Sequence, residues 1–349
     1  MENSYPDTVG APRAKLLTTT YYTVSVCPAS GFKLSDVMLA RKIVGKHLKL
    51  TPLIYSRTLS SLTGAEIYLK LENLQPTKAF KVRGGIYYMS RKAVEAGGKS
   101  VVTASTGNHA QSIAYAGSLF GVDVKVVMPE GVPRLKLETT RSLGAEVIIH
   151  GSYYDEANDY AMKLAAERDY LYIHSINEPL LYPGVATMHL EVVEELPDVD
   201  VVINPIGGGS GVSGAVVVYK AVNPAIRVIG VQASGAPAFY TSWKSEEITT
   251  THGVNTEAEG LATARAYEYP LSIVRGRLDS VVLVEDREMR DAIRLLFECE
   301  GQVTELAGAA STAAAIKMKN ELEGKKVALI VSGGNISEEK LKRVVCGGE

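Results

Sequence analysis

Cysteine is scarce in this chain, and long apolar runs and a strong net charge are missing. Its three cysteines, Cys27, Cys299 and Cys346, lie far apart and form no C-x-x-C pair. They predict neither a disulfide framework nor a cysteine-ligated metal, and they favour a reducing compartment, which we take to be the cytoplasm. No apolar stretch reaches the roughly 18 residues of a membrane span, and the N-terminus lacks a charged-then-apolar leader pattern. We therefore expect neither a membrane partner nor secretion.

The charge balance argues against nucleic acid as a partner. The formal net charge is −2, and no basic cluster marks a surface for a phosphate backbone. Hydrophobic residues make up 46% of the chain and charged residues 22%, as in ordinary globular proteins. Because 349 residues exceed the size at which a single core grows comfortably, two domains are predicted.

The pattern of apolar runs indicates an α/β fold. From about Leu34 onward, short apolar runs alternate with amphipathic segments of helix length, which predicts mostly parallel sheet flanked by helices. The predicted strands are Ala65–Leu71, Ser100–Ala104, Val122–Met128, Ala145–His150, Leu171–His174, Val199–Pro205, Ile226–Val231, Ser280–Val284 and Lys326–Val331. The predicted helices include 108–119, Pro133–Leu143, Asp155–Glu167 and Ser337–Val345.

We predict two domains, each an open, mostly parallel, twisted sheet flanked by helices. The large domain comprises residues 34–98 and 178–349, and the small domain comprises residues 99–177. Residues 1–33 show little periodicity and are predicted to be an N-terminal extension. In open α/β sheets, ligands bind at loops that leave the carboxyl ends of strands. Three such loops are rich in Gly, Ser, Thr and Asn, namely Ser105–His109, Gly207–Gly211 and Ser332–Asn335.

Lys81 is the candidate nucleophile. It follows Phe80, and Val82, Ile86 and Tyr87 predict a buried helix face directly after it. Burial disfavours the ammonium form of lysine, so an amine in such a place can act as a nucleophile. A solvated surface cation is the alternative. The choice depends on whether the chain also supplies a carbonyl cofactor for that amine.

The glycine-rich loop Gly207–Gly211 predicts a phosphate site. It precedes a helix expected to start near Val212, and its glycines let backbone amides approach an anion closely. Residues 209–214 also match the dinucleotide pattern G-x-G-x-x-G, but Gln232 stands where that motif needs an acidic residue. The Gly-Lys-Ser/Thr of a nucleoside-triphosphate loop is missing as well. A monophosphate fits better than either nucleotide, and a flexible surface turn is the remaining alternative.

Polar side chains at the other two loops can bind a ligand or cap a helix. Asn108 and His109 lie at the start of a predicted helix, where asparagine could cap the helix or donate to a ligand oxygen. Ser105, Thr106 and the amides of the helix N-terminus could bind a carboxylate. Ser332 could cap the following helix, or it could bond a heterocyclic nitrogen as a neutral partner.

A nucleophilic lysine, a monophosphate loop, an asparagine and a hydroxyl for a ring nitrogen together describe a site for pyridoxal 5′-phosphate (PLP). From Leu34 to Arg343 the chain resembles the serine/threonine dehydratases, which belong to the tryptophan-synthase-β-like group, fold type II of the PLP enzymes. Besides the glycine loop, the matching motifs are Thr51-Pro52-Leu53, Lys70-Leu71-Glu72-Asn73, Phe80-Lys81-Val82-Arg83-Gly84, Gly107-Asn108-His109, Met128-Pro129-Glu130, Gly144-Ala145-Glu146 and Ser332-Gly333-Gly334-Asn335.

The resemblance implies which residues hold the cofactor in the cleft between the two domains. Lys81 would be the catalytic residue and would carry PLP as a Schiff base, with Phe80 beside the ring. Asn108 would bond the ring hydroxyl, Ser332 would face the ring nitrogen, and Glu305 would lie near the ring. The implied phosphate-binding residues are Gly207, Gly208, Gly209, Ser210 and Gly211.

The resemblance also implies an ammonia-lyase. Such an enzyme eliminates water from L-threonine, L-serine or a related 3-hydroxy amino acid and releases a 2-oxo acid and ammonia. The alternative is a β- or γ-replacement synthase similar to threonine or cysteine synthases. The enzyme would be a homodimer or homotetramer. The implied substrate-binding residues are Ser105, Thr106, Gly107 and His109.

Several positions depart from the family pattern. Lys78 and Ala79 stand where many dehydratases have Gly-Ser, and Ser210 replaces the fourth glycine of the phosphate loop. Thr106 is a poor base for the second face that a racemase must serve. The usual glutamate of a divalent-cation site is Gln232, so no metal is predicted. These departures leave the preferred amino acid open.

Overall fold

The chain is organised around two sheets of mostly parallel strands, each flanked by helices. The structure is a computed structural model that describes residues 31–251 and 253–347. This architecture confirms the predicted α/β class. The predicted extension 1–33 falls almost wholly outside the described residues.

The larger sheet has six strands and draws them from both ends of the chain. Their order across the sheet is β1-β2-β10-β7-β8-β9, and within the described ranges β1 alone runs antiparallel to its neighbour. The strands are β1 (Leu53–Tyr55), β2 (Glu66–Leu71), β7 (Val201–Pro205), β8 (Arg227–Ala233), β9 (Ser280–Val284) and β10 (Lys326–Val331).

The smaller sheet is formed by the segment of the chain between β2 and β7. It has four parallel strands in the order β5-β4-β3-β6. These strands are β3 (Val101–Ala104), β4 (Val124–Met128), β5 (Glu146–Ile149) and β6 (Leu171–Tyr172).

Helices occupy most of the connections between strands. Parallel neighbours need such crossovers, because a tight turn can join only antiparallel strands. None of the helices in the described ranges is long and apolar enough to cross a lipid bilayer. The helices are α1 (Leu34–Val44), α2 (Arg57–Thr63), α3 (Lys81–Ala96), α4 (Asn108–Phe120), α5 (Arg134–Ser142), α6 (Tyr154–Arg168), α7 (Leu181–Glu195), α8 (Ser210–Val222), α9 (Ala238–Ser245), α10 (Glu268–Val274), α11 (Asp286–Glu300), α12 (Leu306–Lys317), α13 (Lys319–Leu322) and α14 (Glu338–Cys346), with single 3₁₀ turns at Glu72–Leu74 and Glu259–Leu261.

All nine predicted strands are present, and their ends differ from the prediction by at most two residues. The sequence prediction missed β1, a three-residue edge strand that is too short to show alternation. The helix after the glycine loop, α8, is present and begins at Ser210, two residues before the expected start near Val212, so the last two residues of the loop belong to its first turn.

Close glycine contacts hold α3 between α4 and α7. A Cβ atom on Gly184 of α7 would lie 2.5 Å from the carbonyl oxygen of Arg83 in α3. One on Gly85 would lie 2.7 Å from the carbonyl oxygen of Ser112 in α4. The Ser112 hydroxyl also donates to the backbone oxygen of Lys81 at 2.6 Å. The first turn of α3 therefore has little freedom to move.

A buried charge network fixes the same helix to the large sheet. Arg83 Nε lies 2.7 Å from Glu72 Oε2, and Arg83 Nη1 lies 2.7 Å from Glu191 Oε1. Lys70 Nζ lies 2.9 Å from the other oxygen of Glu191, and none of these side chains is more than 2% exposed. Burial alone would raise the pKa of Glu72, but the charge and hydrogen bonds of Arg83 outweigh it and lower that pKa. Removing one partner would leave a buried charge unpaired, so the network restricts where α3 can lie.

Candidate functional site

Four dispersed sequence elements converge at the carboxyl ends of β3, β7 and β10. The amine of Lys81 donates to the Ser210 hydroxyl at 3.0 Å, which places the start of α3 against the glycine loop. Asn108 Nδ2, at the start of α4, donates to Glu305 Oε1 at 2.7 Å. Asn335 Nδ2, after β10, donates to Asn108 Oδ1 at 2.7 Å. These contacts join residues that lie up to 227 positions apart in the sequence.

Lys81 is the first residue of α3 and is partly buried. Desolvation lowers the pKa of its amine to about 8. The amine lies 5.4 Å from the centroid of the Phe80 ring, which covers it with an apolar surface. An appreciable fraction of this amine is therefore neutral near neutral pH, as a nucleophile or a base requires.

The glycine loop leads from β7 into the N-terminus of α8. A Cβ atom on Gly207 would lie 2.2 Å from the carbonyl oxygen of Gly260, and one on Gly208 would lie 2.5 Å from Ile176. Gly209 has φ at +95°, in the left-handed region that favours glycine. The Gly260 backbone excludes a side chain at Gly207 and the positive φ disfavours one at Gly209, whereas a side chain at Gly208 would require Ile176 to move. The resulting turn and the first amides of α8 suit an anion such as a phosphate.

The Asn108 side chain faces a partly buried carboxyl group. Its bond to Glu305 shows that it is not a helix cap, because the N-cap of α4 is Gly107 and that position has no side-chain cap. Burial raises the pKa of Glu305 to about 7, although the Asn108 hydrogen bond opposes the shift. A polar pair of this kind can donate to, or exchange a proton with, a ligand.

Ser332 lies at the end of β10 and is buried. It does not cap the following helix, because Ser337 caps α14 by accepting a hydrogen bond from the Lys340 amide. The Ser332 hydroxyl donates to the Ala307 carbonyl over 3.3 Å, and its backbone oxygen accepts from the Phe80 amide at 3.1 Å. The capping alternative is therefore excluded. With its hydrogen directed to Ala307, the hydroxyl offers neutral acceptor lone pairs, and it can donate to a ligand only by rotating away from that carbonyl.

In the predicted substrate loop, Ser105 and His109 both make hydrogen bonds within the protein. Ser105 Oγ accepts a hydrogen bond from the Gly107 amide at 3.3 Å, within the turn that precedes α4. His109 is buried, and its Nε2 lies 3.1 Å from the Thr103 hydroxyl. Because that hydroxyl donates to the Ile173 carbonyl, Nε2 is the donor to it. This bond favours a packing role for His109, and substrate binding by this residue stays a prediction.

Gln232 stands where the family usually has the glutamate of a divalent-cation site. Gln232 is fully buried, and its Oε1 accepts from the Tyr240 amide at 2.9 Å. Its Nε2 has no hydrogen-bond partner among the described residues. Across residues 31–251 and 253–347, no group of three or more His, Cys, Asp or Glu side chains is placed to hold a metal ion.

Two features of the candidate site are not predicted from the sequence. Asn335 is part of a polar loop in the sequence, but in the structure it contacts Asn108 directly. Lys78 departs from the family pattern, and the structure shows that it also has a positive φ of 54°. The signal for the second was the family's glycine at that position, because glycine commonly marks a left-handed residue.

Comparisons with known proteins relate the chain to one family. The family model described as "Pyridoxal-phosphate dependent enzyme" matches residues 44–333. An L-threonine ammonia-lyase of Thermotoga maritima is 39% identical over 315 residues, which are 90% of this chain and 78% of that protein. The structure of maize serine racemase is 29% identical, with a TM-score of 0.85 over 90% of this chain and 97% of that one. The processed form of threonine deaminase isoform 2 from Solanum lycopersicum is 30% identical, with a TM-score of 0.84 over 90% of this chain and 88% of that one.

Proposed function

Because the chain belongs to the family of PLP-dependent enzymes, we propose that it is an ammonia-lyase that dehydrates L-threonine or L-serine to a 2-oxo acid. The observation that carries the proposal is the Lys81 amine, partly buried and 3.0 Å from a hydroxyl of the glycine loop. The relatives named as threonine ammonia-lyase and threonine deaminase support the substrate class.

The donor set fits PLP. Lys81 would hold the cofactor covalently, with Phe80 beside its ring. When bound, PLP supplies an aldehyde that condenses with amines and a ring that accepts electrons from the substrate Cα. Asn108 and Glu305 would face the ring hydroxyl, and Ser332 would face the ring nitrogen. The implied phosphate-binding residues are Gly207, Gly208, Gly209, Ser210 and Gly211.

Lys81 is suited to a second role as the base. When its amine is not linked to the cofactor, Lys81 would be free to take the Cα proton of the bound substrate. A pKa of about 8 keeps enough of this amine neutral near neutral pH for that step. Ser105, Thr106 and the N-terminal amides of α4 would hold the substrate carboxylate and orient the Cα–H bond towards the amine. Ser332 carries no charge, so it would not hold a proton on the ring nitrogen as a carboxylate would.

We further propose the domain division 34–98 with 178–349 against 99–177. The location of β3 to β6 between residues 101 and 172 supports it.

A cytoplasmic location is supported by the exposed free thiols of Cys299 and Cys346. Assembly into homodimers or homotetramers is supported by the adjacent Met38 and Leu39 on α1, which are 55% and 43% exposed. Sedimentation of the holoenzyme would measure that assembly.

The proposal is tested by supplying the purified holoenzyme with L-threonine alone. We expect 2-oxobutanoate and ammonia in equal amounts without a second substrate. Lys81→Ala should lose activity by roughly three orders of magnitude or more, because both the cofactor link and the base are removed. Lys92→Ala, on the same helix but away from the loops of the site, is the matched control and should retain activity.

Two results would contradict the dehydratase proposal. Turnover that requires a thiol or a phosphorylated amino acid would indicate a replacement synthase. Conversion of L-serine to D-serine without release of ammonia would indicate a racemase.

A further inference from the structure

We propose that Asn335 is a positioning residue that orients the Asn108 amide towards the cofactor, through a hydrogen bond across the site. The inference rests on the placement of PLP given above and not on the identity of the substrate. It concerns a loop of the large sheet and the first turn of α4, which follows a strand of the small sheet.

The orientation of the Asn335 side chain is set by a backbone carbonyl. Its Nδ2 lies 2.9 Å from the oxygen of Thr77, which can only accept a hydrogen bond. The amide oxygen of Asn335 cannot replace the nitrogen there, because two acceptors would then face each other. Thr77 is buried in the segment that leads into Lys81, so this reference point is fixed within the site.

The second hydrogen of the same nitrogen sets the orientation of Asn108. Asn335 Nδ2 lies 2.7 Å from Asn108 Oδ1 and 3.2 Å from Gln111 Oε1. An amide nitrogen has two hydrogens, and the two shorter contacts, to Thr77 and Asn108, account for them. Asn108 therefore presents its oxygen to Asn335 and its nitrogen to the opposite side.

The nitrogen of Asn108 is thereby aimed into the cofactor site. One of its hydrogens goes to Glu305 Oε1 at 2.7 Å. The other is available for an acceptor on the cofactor, for which the ring hydroxyl oxygen is suited. If Asn108 were turned over, its oxygen would face both this acceptor and Glu305. Asn335 thus determines whether Asn108 offers a donor or an acceptor to the cofactor.

The test measures PLP binding by the visible absorption of the bound cofactor, with no amino acid present. Asn335→Asp has nearly the same shape but lacks both N–H donors. We expect its dissociation constant for PLP to rise roughly tenfold to a hundredfold, as for one or two lost hydrogen bonds. We also expect the pH midpoint of the absorption band to move, because the hydrogen bond to the ring hydroxyl changes.

A double-mutant cycle separates positioning from a general structural role. Asn335→Ala should weaken PLP binding in the wild-type background and have little further effect in Asn108→Ala, because its action passes through Asn108. The unfolding free energy of each cofactor-free variant is measured in parallel, and Asn335→Ala serves if Asn335→Asp does not fold.

Two results would overturn the inference. Unchanged PLP affinity and band position in both Asn335 variants would show that the bond is merely structural. An undiminished effect of Asn335→Ala in the Asn108→Ala background would show that it acts independently of Asn108. Both results are distinct from a failure of the proposed reaction, because a holoenzyme inactive on threonine would still report PLP binding.

Discussion

Lys78 has a backbone conformation that lysine rarely adopts, with φ at +54°. It is held there by its carbonyl, which accepts from the Gly334 amide at 2.8 Å, and by its own amide, which donates to Gln75 at 2.7 Å. The left-handed region costs a non-glycine residue roughly 1–2 kcal/mol. Lys78→Gly should therefore raise the free energy of unfolding by up to about 1 kcal/mol, because the greater freedom of glycine in the unfolded chain offsets part of the gain. Urea unfolding of the holoenzyme measures this difference.

Lys78→Ala is the matched control. Alanine has a Cβ atom and keeps the strain, so we expect no gain from it. Equal stabilisation by both substitutions would instead assign the effect to the charge of Lys78.

At the scale of single residues, the sequence predicts which candidate residues lie together only where the signal is local. Lys81 and the glycine loop carry their signal in neighbouring residues, and the structure places them within hydrogen-bond distance of each other. The contact between Asn108 and Asn335 joins positions 227 residues apart, so no local pattern could reveal it. The conformation of Lys78 depends on its bond to Gly334, which is also distant in sequence.

At the scale of elements, the placement of α3 depends on small residues in the helices that pack against it. Gly184→Ala would put a methyl group 2.5 Å from the Arg83 carbonyl oxygen and 2.7 Å from Tyr87 Cβ. We expect a loss of about 1–3 kcal/mol in unfolding free energy, because packed helices must move apart. PLP affinity should fall as well, because α3 begins at Lys81, the residue proposed to bind PLP.

Gly253→Ala provides the comparison for this substitution. A Cβ atom there meets nothing within 4 Å, and the residue is exposed. Both urea unfolding and PLP titration should leave this variant close to wild type. A Gly184→Ala protein as stable as Gly253→Ala would mean that the helices adjust without cost.

Strands and helices were predictable because each displays its own periodicity. Alternation of apolar runs and amphipathic segments predicts the correct type for each strand and helix named from the sequence, although long helices such as α7 and α11 were not among them. The exact ends were not predictable, since they depend on contacts such as the glycine turn that starts α8 at Ser210. The edge strand β1 is defined by its pairing with β2 and not by its own sequence.

At the scale of the whole molecule, the site imposes a pH-dependent cost on the cofactor-free protein. Glu305 has its pKa raised from 4.5 to about 7, so its contribution to stability falls as the pH rises through that window. Burial lowers the pKa of Lys81 from 10.5 to about 8. The buried ammonium group therefore reduces the free energy of unfolding fully below pH 8, and this reduction disappears as the pH rises towards 10.5. Both costs are therefore complete between about pH 7 and 8.

The measurement compares cofactor-free wild type with the double variant Lys81→Met and Glu305→Gln. The free energy of unfolding of the wild type should fall furthest below that of the variant at about pH 7.5. The difference between the two proteins should be smaller at about pH 5 and at about pH 10. Urea unfolding at these pH values gives the difference directly. A gap that is constant with pH would show that neither group is shifted by its surroundings.

The overall architecture was only partly predictable. Strand–helix alternation predicts parallel sheets, but it does not give the order of strands within them. β10 lies between β2 and β7 in the sheet, and it pairs with both of them, although each precedes it in the sequence by more than 100 residues. The division of the chain between two sheets follows from that pairing.

The position of β10 also determines the order in which the parts of the candidate site are synthesised. Because synthesis proceeds from the N-terminus, β2, Lys81 and the glycine loop are synthesised well before residues 326–331. Until then, β2 and β7 have no strand between them, and Ser332 and Asn335 do not yet exist. The proposed cofactor pocket is therefore complete only after β10 is made, and firm binding of PLP marks a chain whose synthesis has passed Asn335.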